Sequence, residues 1–264
     1  MIPKVIHYCW FGKQPLGDLA QRCILSWKKF FPNYTIMEWN EENFDISSYD
    51  FVRKAYEDQK WAFVSDVVRL IILYQHGGIY FDTDVEVISS FNDILANTHS
   101  GFIGFEKTNQ VASGLGLGAE AGHPFLKKLL DVYVRIDYDE YKDRLSDIAC
   151  TVLTTQLMKK EGLKVKETVQ NVCGFDVYPS DYFCPIDYCT GEMHKTSNTH
   201  SIHWYYASWK EPEEKETFEK LQKLNRIFGA KVAGVVWGII SCVKKEGLTE
   251  YIRKRAKKYI FRKI

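Results

Sequence analysis

Hydrophobic and polar positions along this chain switch between the alternation of strands and the three-to-four-residue spacing of helices. The apolar run Val5–Phe11, closed by Gly12, predicts a buried first strand. Leu19–Phe30 has helical spacing, and Tyr34–Trp39 follows as a second strand. Strand, helix and strand so early in the chain favour a Rossmann-like α/β sheet.

The same criteria predict further elements downstream. They are helices over Ala62–His76, Pro124–Val134, Thr151–Lys160 and Pro212–Phe228, and strands over Ile79–Ile88, Phe102–Phe105 and Leu115–Ala119. The pair Gly77-Gly78 predicts a C-terminal cap for the first of these helices. Residues 171–199 mix short strands and loops. Because no internal repeat or linker interrupts the pattern, we expect one compact α/β domain over residues 1–228.

Residues 229–264 form a segment of different character, a basic tail with helical spacing. Its last twenty-one residues carry nine basic side chains, interleaved with Tyr and Ile: Lys244, Lys245, Arg253, Lys254, Arg255, Lys257, Lys258, Arg262 and Lys263. This pattern is typical of an amphipathic helix on an anionic membrane surface. It is equally the pattern of a helix whose apolar stripe packs on the domain. Both interpretations stay open.

Composition narrows the protein class. The 264 residues carry a net charge of +1 and 15% aromatic side chains. The seven cysteines are an odd number without C-x-x-C spacing, which argues against a zinc site and a disulfide framework and favours a reducing cytosol. The sequence contains no signal-peptide pattern and no apolar stretch of the ~20 residues that cross a bilayer. We therefore expect a cytoplasmic protein, with peripheral contact at the inner face of the membrane if the tail binds lipid.

An acidic row marks the strand predicted over Ile79–Ile88. Period-two alternation puts Asp82, Asp84 and Glu86 on one face, next to Tyr80. Like charges this close repel unless a cation lies between them. Carboxylate oxygens suit Mg²⁺ or Mn²⁺, so the row predicts a metal site. The alternative is a solvated acidic edge strand.

The preceding helix carries polar residues where burial is expected. Between Ala62 and Tyr74 the only polar side chains are Ser65, Asp66 and Arg69, which fall in one sector of the helix. Buried Asp and Arg are rare unless they are paired or functional. They either form an ion pair in the core or face a cleft, where Arg can bind phosphate and Asp can accept from hydroxyls. Since Gly77-Gly78 leads directly to the acidic strand, both groups can line one site.

Two later segments add candidates. His203, in an apolar and aromatic stretch, is a competent third ligand for Mn²⁺, or else a core histidine. Gly114, Gly116 and Gly118 fit no phosphate-binding fingerprint, so we expect a strand that another group approaches closely.

Three segments together resemble glycosyltransferase family 32, the Asp-x-Asp sugar transferases of capsular polysaccharide enzymes and fungal mannosyltransferases, related to glucosylating toxin domains. They are Ile2–Gly12, the Ser65-Asp66-x-x-Arg69 pattern and Gly77-Gly78-Ile79-Tyr80-Phe81-Asp82-Thr83-Asp84. The resemblance implies a GT-A fold, a nucleotide-sugar donor, Mn²⁺ or Mg²⁺, and retention of anomeric configuration. Residues 148–154 depart from the Gly-Pro-containing stretch expected there, which leaves the acceptor side undefined.

Motif matching also implies roles for individual residues. Trp10 lies against the base, and Asp66 and Arg69 hold the donor sugar. Asp82 contacts ribose or sugar and assists the metal, Asp84 is a direct ligand, and His203 is the candidate third ligand. Ser65 and Tyr80 count with the donor-binding residues, and Ser208 and Trp209 close over the diphosphate.

The function predicted is transfer of a hexose from UDP-hexose or GDP-mannose to a glycan or lipid-linked saccharide, in surface polysaccharide biosynthesis. A non-catalytic glycan-binding or scaffold protein of the same fold is the alternative, against which the intact Asp66, Arg69, Asp82 and Asp84 argue. A phosphatase of the Asp-x-Asp type is disfavoured because the motif comes eighty residues into the chain. A nucleic-acid partner would rest on the basic tail alone, and we expect none.

Overall fold

The computed structural model describes residues 1–106, 109–166, 168–206, 212–229, 232–234 and 236–237. Its strands are β1 Val5–Cys9, β2 Thr35–Trp39, β3 Gly78–Tyr80, β4 Val85–Val87, β5 Gly101–Phe105, β6 Val111–Ala112, β7 Leu117–Ala119, β8 Gln170–Val172, β9 Phe175–Tyr178 and β10 Ser201–His203. Its α-helices are α1 Asp18–Phe30, α2 Asp50–Glu57, α3 Trp61–His76, α4 Asn92–Asn97, α5 Pro124–Arg135, α6 Tyr138–Tyr141, α7 Cys150–Lys160, α8 Ser180–Phe183 and α9 Pro212–Phe228.

Eight strands form one mixed sheet in the order β2-β1-β3-β7-β5-β9-β8, with β6 paired to β5. The strands β2, β1 and β3 are parallel, β7 is antiparallel to both of its neighbours, and β9 is parallel to β5. Five strands therefore point the same way, and the carboxyl ends of β1, β3, β5 and β9 meet at one edge. The α/β fold class predicted from the sequence is confirmed.

The helix predicted over Ala62–His76 is α3, and it is buried as its composition predicts. Every side chain from Val67 to Leu73 is buried, Arg69 included. The backbone N–H of Gly77 donates to Leu73 O at 2.9 Å, and Gly77 has a φ of 64°. A residue with a side chain rarely adopts that conformation, so this glycine ends α3 and turns the chain directly into β3.

The chain divides into two compact units. The first contains residues 1–187 and 193–209, and the second contains residues 188–192 and 210–264. In the second unit, side chains of α9 donate to backbone carbonyls of residues 188–190, and the tilted rings of Tyr188 and Phe218 lie with their centroids 4.7 Å apart. This division differs from the predicted boundary at residue 228, because α9 groups with the second unit.

Among the residues that the structure describes, no helix is both long and apolar enough to cross a bilayer. The basic residues of the predicted tail, from Lys244 onward, lie outside the described ranges. The choice between a membrane-surface helix and a packed helix therefore stays a prediction.

Candidate active site

The strand predicted over Ile79–Ile88 is broken in two, and the break forms the centre of the site. β3 ends at Tyr80 and β4 begins at Val85, with a turn between them. The N–H of Val85 donates to Asp82 O at 3.0 Å, and the N–H of Asp82 donates to Gly114 O at 2.9 Å. The prediction of one continuous acidic strand is wrong, because this turn takes the chain out of the main sheet.

The turn brings three potential metal ligands together. β4 pairs antiparallel with β10, and the register sets His203 opposite Val85, next to Asp84. One ligand atom from each of Asp82, Asp84 and His203 lies within 4.8 Å of the others. Two carboxylate oxygens and an imidazole nitrogen are a donor set that Mn²⁺ accepts well, and Mg²⁺ accepts the oxygens. The residues present therefore fit a divalent cation.

Asp84 and His203 also contact each other directly. His203 Nε2 lies 3.2 Å from Asp84 Oδ1, and both side chains are largely buried. Burial by itself would raise the pKa of Asp84, but the neighbouring imidazole and the N–H of Tyr206 hold that pKa below its ordinary value. Burial opposes the charged form of His203, yet Asp84 raises the pKa of His203 well above its ordinary value. The pair is thus arranged to keep a negative charge on Asp84.

Glu86, predicted as the third member of the acidic row, is not in this group. Its Oε2 accepts from Trp204 Nε1 at 2.9 Å and lies 3.4 Å from Arg22 Nη2. The prediction of three carboxylates on one face is therefore wrong. The turn at residues 82–84 ends the period-two alternation, so Glu86 instead anchors the residue that follows β10.

Arg69 is buried, and its side chain connects α3 to the site. Its Nη2 lies 3.1 Å from Asp66 Oδ1 and 3.1 Å from Asp82 Oδ1, and its side chain is only 6% exposed. Its Nε donates to Ser65 O at 2.9 Å, and its Nη1 donates to Ser113 Oγ at 3.3 Å. The two interpretations of this helix are therefore not exclusive, since the core ion pair reaches the site through Asp82. The guanidinium donors of Arg69 are directed at protein groups.

Asp66 links α3 to the start of α7. Its Oδ2 accepts from the backbone N–H of Cys150 at 3.0 Å, at the first residue of that helix. A carboxylate there satisfies an N–H that has no partner within the helix and lies at the positive end of the helix dipole. Burial nevertheless raises the pKa of Asp66, with Arg69 opposing the rise. The segment 148–154, which departs from the family pattern, thus begins directly against Asp66.

Gly114 leaves the space that the Asp82 carboxylate fills. A Cβ at this position would lie 1.7 Å from Asp82 Oδ2, closer than any side chain tolerates. Tyr80 OH donates to the other oxygen, Asp82 Oδ1, at 3.2 Å. Both carboxylate oxygens are therefore oriented by neighbours. The close approach expected of the three glycines occurs here, although the sequence did not indicate that its partner is Asp82.

The segment after β10 is tied to Asp84. The N–H of Trp204 donates to Asp84 O at 3.0 Å, and the N–H of Tyr206 donates to Asp84 Oδ2 at 2.9 Å. Nothing in the sequence signalled these backbone contacts. Ser208 and Trp209, predicted to close over the diphosphate, lie outside the described residues.

Trp10 lies one strand away from this group. It directly follows β1, which is parallel to β3, so Trp10 and Asp82 both extend from the carboxyl edge of the sheet. The indole is partly exposed, and its Nε1 donates to Gln14 O at 2.5 Å. Ligands of open α/β sheets bind outside this edge. The edge therefore combines an aromatic surface at β1 with the candidate metal ligands at β3.

Part of this chain is similar to known sugar transferases. Residues 17–100 match the family model described as "Glycosyltransferase sugar-binding region containing DXD motif". The chain is 26% identical over 136 residues to inositol phosphoceramide mannosyltransferase 3 of Schizosaccharomyces pombe, covering 49% of this chain and 36% of that protein. It is 35% identical over 127 residues to an uncharacterized protein of Arabidopsis thaliana, covering 47% of this chain and 18% of that protein. The chain thus spans little more than a third of the length of the first relative and less of the second.

A solved structure shares the fold. The structure titled PaToxG glycosyltransferase superposes with a TM-score of 0.51 at 17% sequence identity, over 61% of this chain and 70% of that chain. The match supports the GT-A-like arrangement of the sheet.

Proposed function

We propose that this chain is the domain of a DXD-containing, family 32-like glycosyltransferase and that it moves a hexose from a nucleotide sugar to a saccharide acceptor in a metal-dependent reaction. The matched sugar-binding region, the mannosyltransferase relative and the shared fold support this proposal. The observation that carries the proposal is the group formed by Asp82, Asp84 and His203. It lies at the carboxyl edge of the sheet, and its two aspartates lie within the matched sugar-binding region. The donor is UDP-hexose or GDP-mannose.

Asp82, Asp84 and His203 are the residues that would hold Mn²⁺ or Mg²⁺. When bound, such a cation neutralises negative charge that develops on a diphosphate leaving group. The chain's own contribution is orientation: Tyr80 and Gly114 set the two oxygens of Asp82, while His203 and the N–H of Tyr206 set those of Asp84. Ligands held this firmly lose little freedom when donor and cation arrive.

Arg69 is a positioning residue in this proposal. Its guanidinium lies between Asp66 and Asp82 at 3.1 Å from each, and it reduces the repulsion between those carboxylates. Asp66, with a side chain 17% exposed, retains access to a donor-sugar hydroxyl. Trp10 offers its partly exposed ring to the base, at β1, on one side of the metal ligands. Retention of anomeric configuration is the outcome that the family resemblance implies.

The acceptor is a glycan or a lipid-linked saccharide. The name of the S. pombe relative, an inositol phosphoceramide mannosyltransferase, supports a mannosyl donor and a lipid acceptor. The nine basic residues from Lys244 onward support peripheral contact with an anionic membrane at its inner face, where a lipid-linked acceptor would be concentrated. A role in surface polysaccharide biosynthesis follows from the same family resemblance.

The proposal is tested by donor binding and hydrolysis with UDP-glucose, UDP-galactose and GDP-mannose, with and without Mn²⁺. We expect a Mn²⁺-dependent rise in melting temperature with one donor, because a ligand that binds only the folded state stabilises it. Asp84→Asn should abolish this rise and the accompanying hydrolysis. Glu86→Gln is the matched control, since Glu86 belongs to the same acidic row but contacts Trp204 and Arg22.

Two results would refute the assignment. Wild-type hydrolysis that persists undiminished in excess chelator excludes a metal-dependent reaction. An equal loss of Mn²⁺ dependence in Asp84→Asn and Glu86→Gln would show that the effect is not specific to the candidate metal ligands. Donor binding without any turnover would instead favour the non-catalytic protein of the same fold.

A further inference from the structure

The residues that follow β1, β3 and β5 lie along the carboxyl edge of the sheet in the order of those strands. Trp10 follows β1, Asp82 and Asp84 follow β3, and Glu106 follows β5. In the strand order, β5 lies on the side of β3 away from β1, with only β7 between them. Glu106 is therefore separated from the proposed base-binding Trp10 by the candidate metal group.

Glu106 is connected to that group through one aromatic residue. Its Oε2 accepts from Tyr205 OH at 3.4 Å, and the same hydroxyl lies 2.9 Å from Cys184 Sγ. The ring of Tyr205 lies against His203 with 4.3 Å between ring centroids. One tyrosine thus spans from the metal group to the carboxylate at the end of β5.

Tyr205 has an unusual backbone conformation. Its φ is 51°, in the left-handed region that residues other than glycine, asparagine and aspartate seldom occupy. Such strain persists only where surrounding contacts hold it, and it concentrates at functional sites. Among the described residues, His203, Cys184 and Glu106 contact its side chain. This observation is independent of the acidic motif.

We infer that Glu106 binds a hydroxyl of the acceptor saccharide, an inference that rests on the proposed function. A nucleotide sugar laid along the edge, with its base at β1 and its diphosphate at β3, directs its sugar towards β5. The acceptor hydroxyl must approach that end of the donor. A carboxylate accepts strong hydrogen bonds from sugar hydroxyls, and Glu106 supplies one at the end of β5. Its role is to bind and orient the acceptor rather than to hold the donor.

The test compares hydrolysis with transfer in Glu106→Gln. Glutamine retains an oxygen that can accept from Tyr205 OH but lacks the negative charge. With Mn²⁺ and the donor that the binding and hydrolysis test identifies, we measure sugar transfer to water and to methyl α-mannoside, methyl β-glucoside and methyl β-galactoside. Saturation-transfer NMR measures binding of the same glycosides. Glu120→Gln is the control, because Glu120 follows β7 at the opposite edge of the sheet.

We expect Glu106→Gln to hydrolyse the donor at the wild-type rate. Sugar transfer to the glycosides and their saturation-transfer NMR signal should both fall about 10- to 100-fold, the size expected when one hydrogen bond to a charged group is lost. Tyr205→Phe should lower transfer less, and Glu120→Gln should leave both activities unchanged. Unchanged glycoside transfer in Glu106→Gln overturns the inference, as does an equal fall in hydrolysis or a wild-type protein that binds none of the glycosides. A wild-type protein that hydrolyses no donor overturns the proposed function and this inference with it.

Discussion

Replacing Gly114 by alanine tests how strictly the position of Asp82 is set. The new Cβ would lie 1.7 Å from Asp82 Oδ2 and 3.0 Å from Arg69 Nη1. An ordinary carbon–oxygen contact is above 3 Å, so the carboxylate must move by more than about 1 Å, out of its place beside Arg69. A displacement of about 1 Å at a reacting group can cost about 100-fold in rate, equivalent to about 3 kcal/mol. Gly114 does not have a positive φ, so its backbone conformation is open to alanine.

The assay is Mn²⁺-dependent donor hydrolysis, with urea unfolding on the same protein. We expect kcat/KM to fall about 100-fold while stability falls by about 1–3 kcal/mol, the usual cost of one overpacked methyl group. Gly17→Ala is the control, since a Cβ there meets nothing within 4 Å. Because the effect acts through Asp82, Gly114→Ala should add nothing to an Asp82→Ala variant. A loss of the same size in that background, or wild-type turnover in Gly114→Ala, would refute the reasoning.

Three further predictions concern the core, pH and the tail. Arg69→Ala leaves two carboxylates without a cation, so urea unfolding should show a loss of about 3–5 kcal/mol, and unchanged stability would contradict the network. Burial lowers the pKa of His7 from 6.5 to about 4, so the unfolded chain takes up a proton first as the pH falls. Stability should then decrease by up to about 3 kcal/mol between those pH values, and His7→Gln should reduce this slope. Removing residues 244–264 should spare donor hydrolysis but weaken sedimentation with anionic vesicles, where each basic residue contributes about 1 kcal/mol that salt screens. Equal, negligible binding of the full chain to anionic and neutral vesicles at low and high salt would exclude the membrane-surface helix.

The sequence determined those features that depend on local periodicity and residue type. The helix α3 could be predicted because a long apolar run interrupted by one polar sector has no other stable location than the core. The glycines after it could be predicted as its end. The Ser-Asp-x-x-Arg and Asp-x-Asp patterns predicted a resemblance to sugar transferases, and they include Asp66, Arg69 and Asp82, which the structure brings together. Each of these signals lies within a short stretch of chain.

Only the tertiary structure decided which of these residues meet. Asp82, Asp84 and Glu86 alternate in the sequence as one strand would, but the hydrogen bond from the N–H of Asp82 to Gly114 O helps hold a turn that a periodicity argument does not detect. Glu86 then pairs with Arg22 and Trp204, far along the chain in either direction. His203 reaches Asp84 only because β10 pairs with β4. Long-range pairing of this kind depends on the packing of the whole domain, since the hydrogen bonds of a short strand can be satisfied by many partners until the surrounding core selects one.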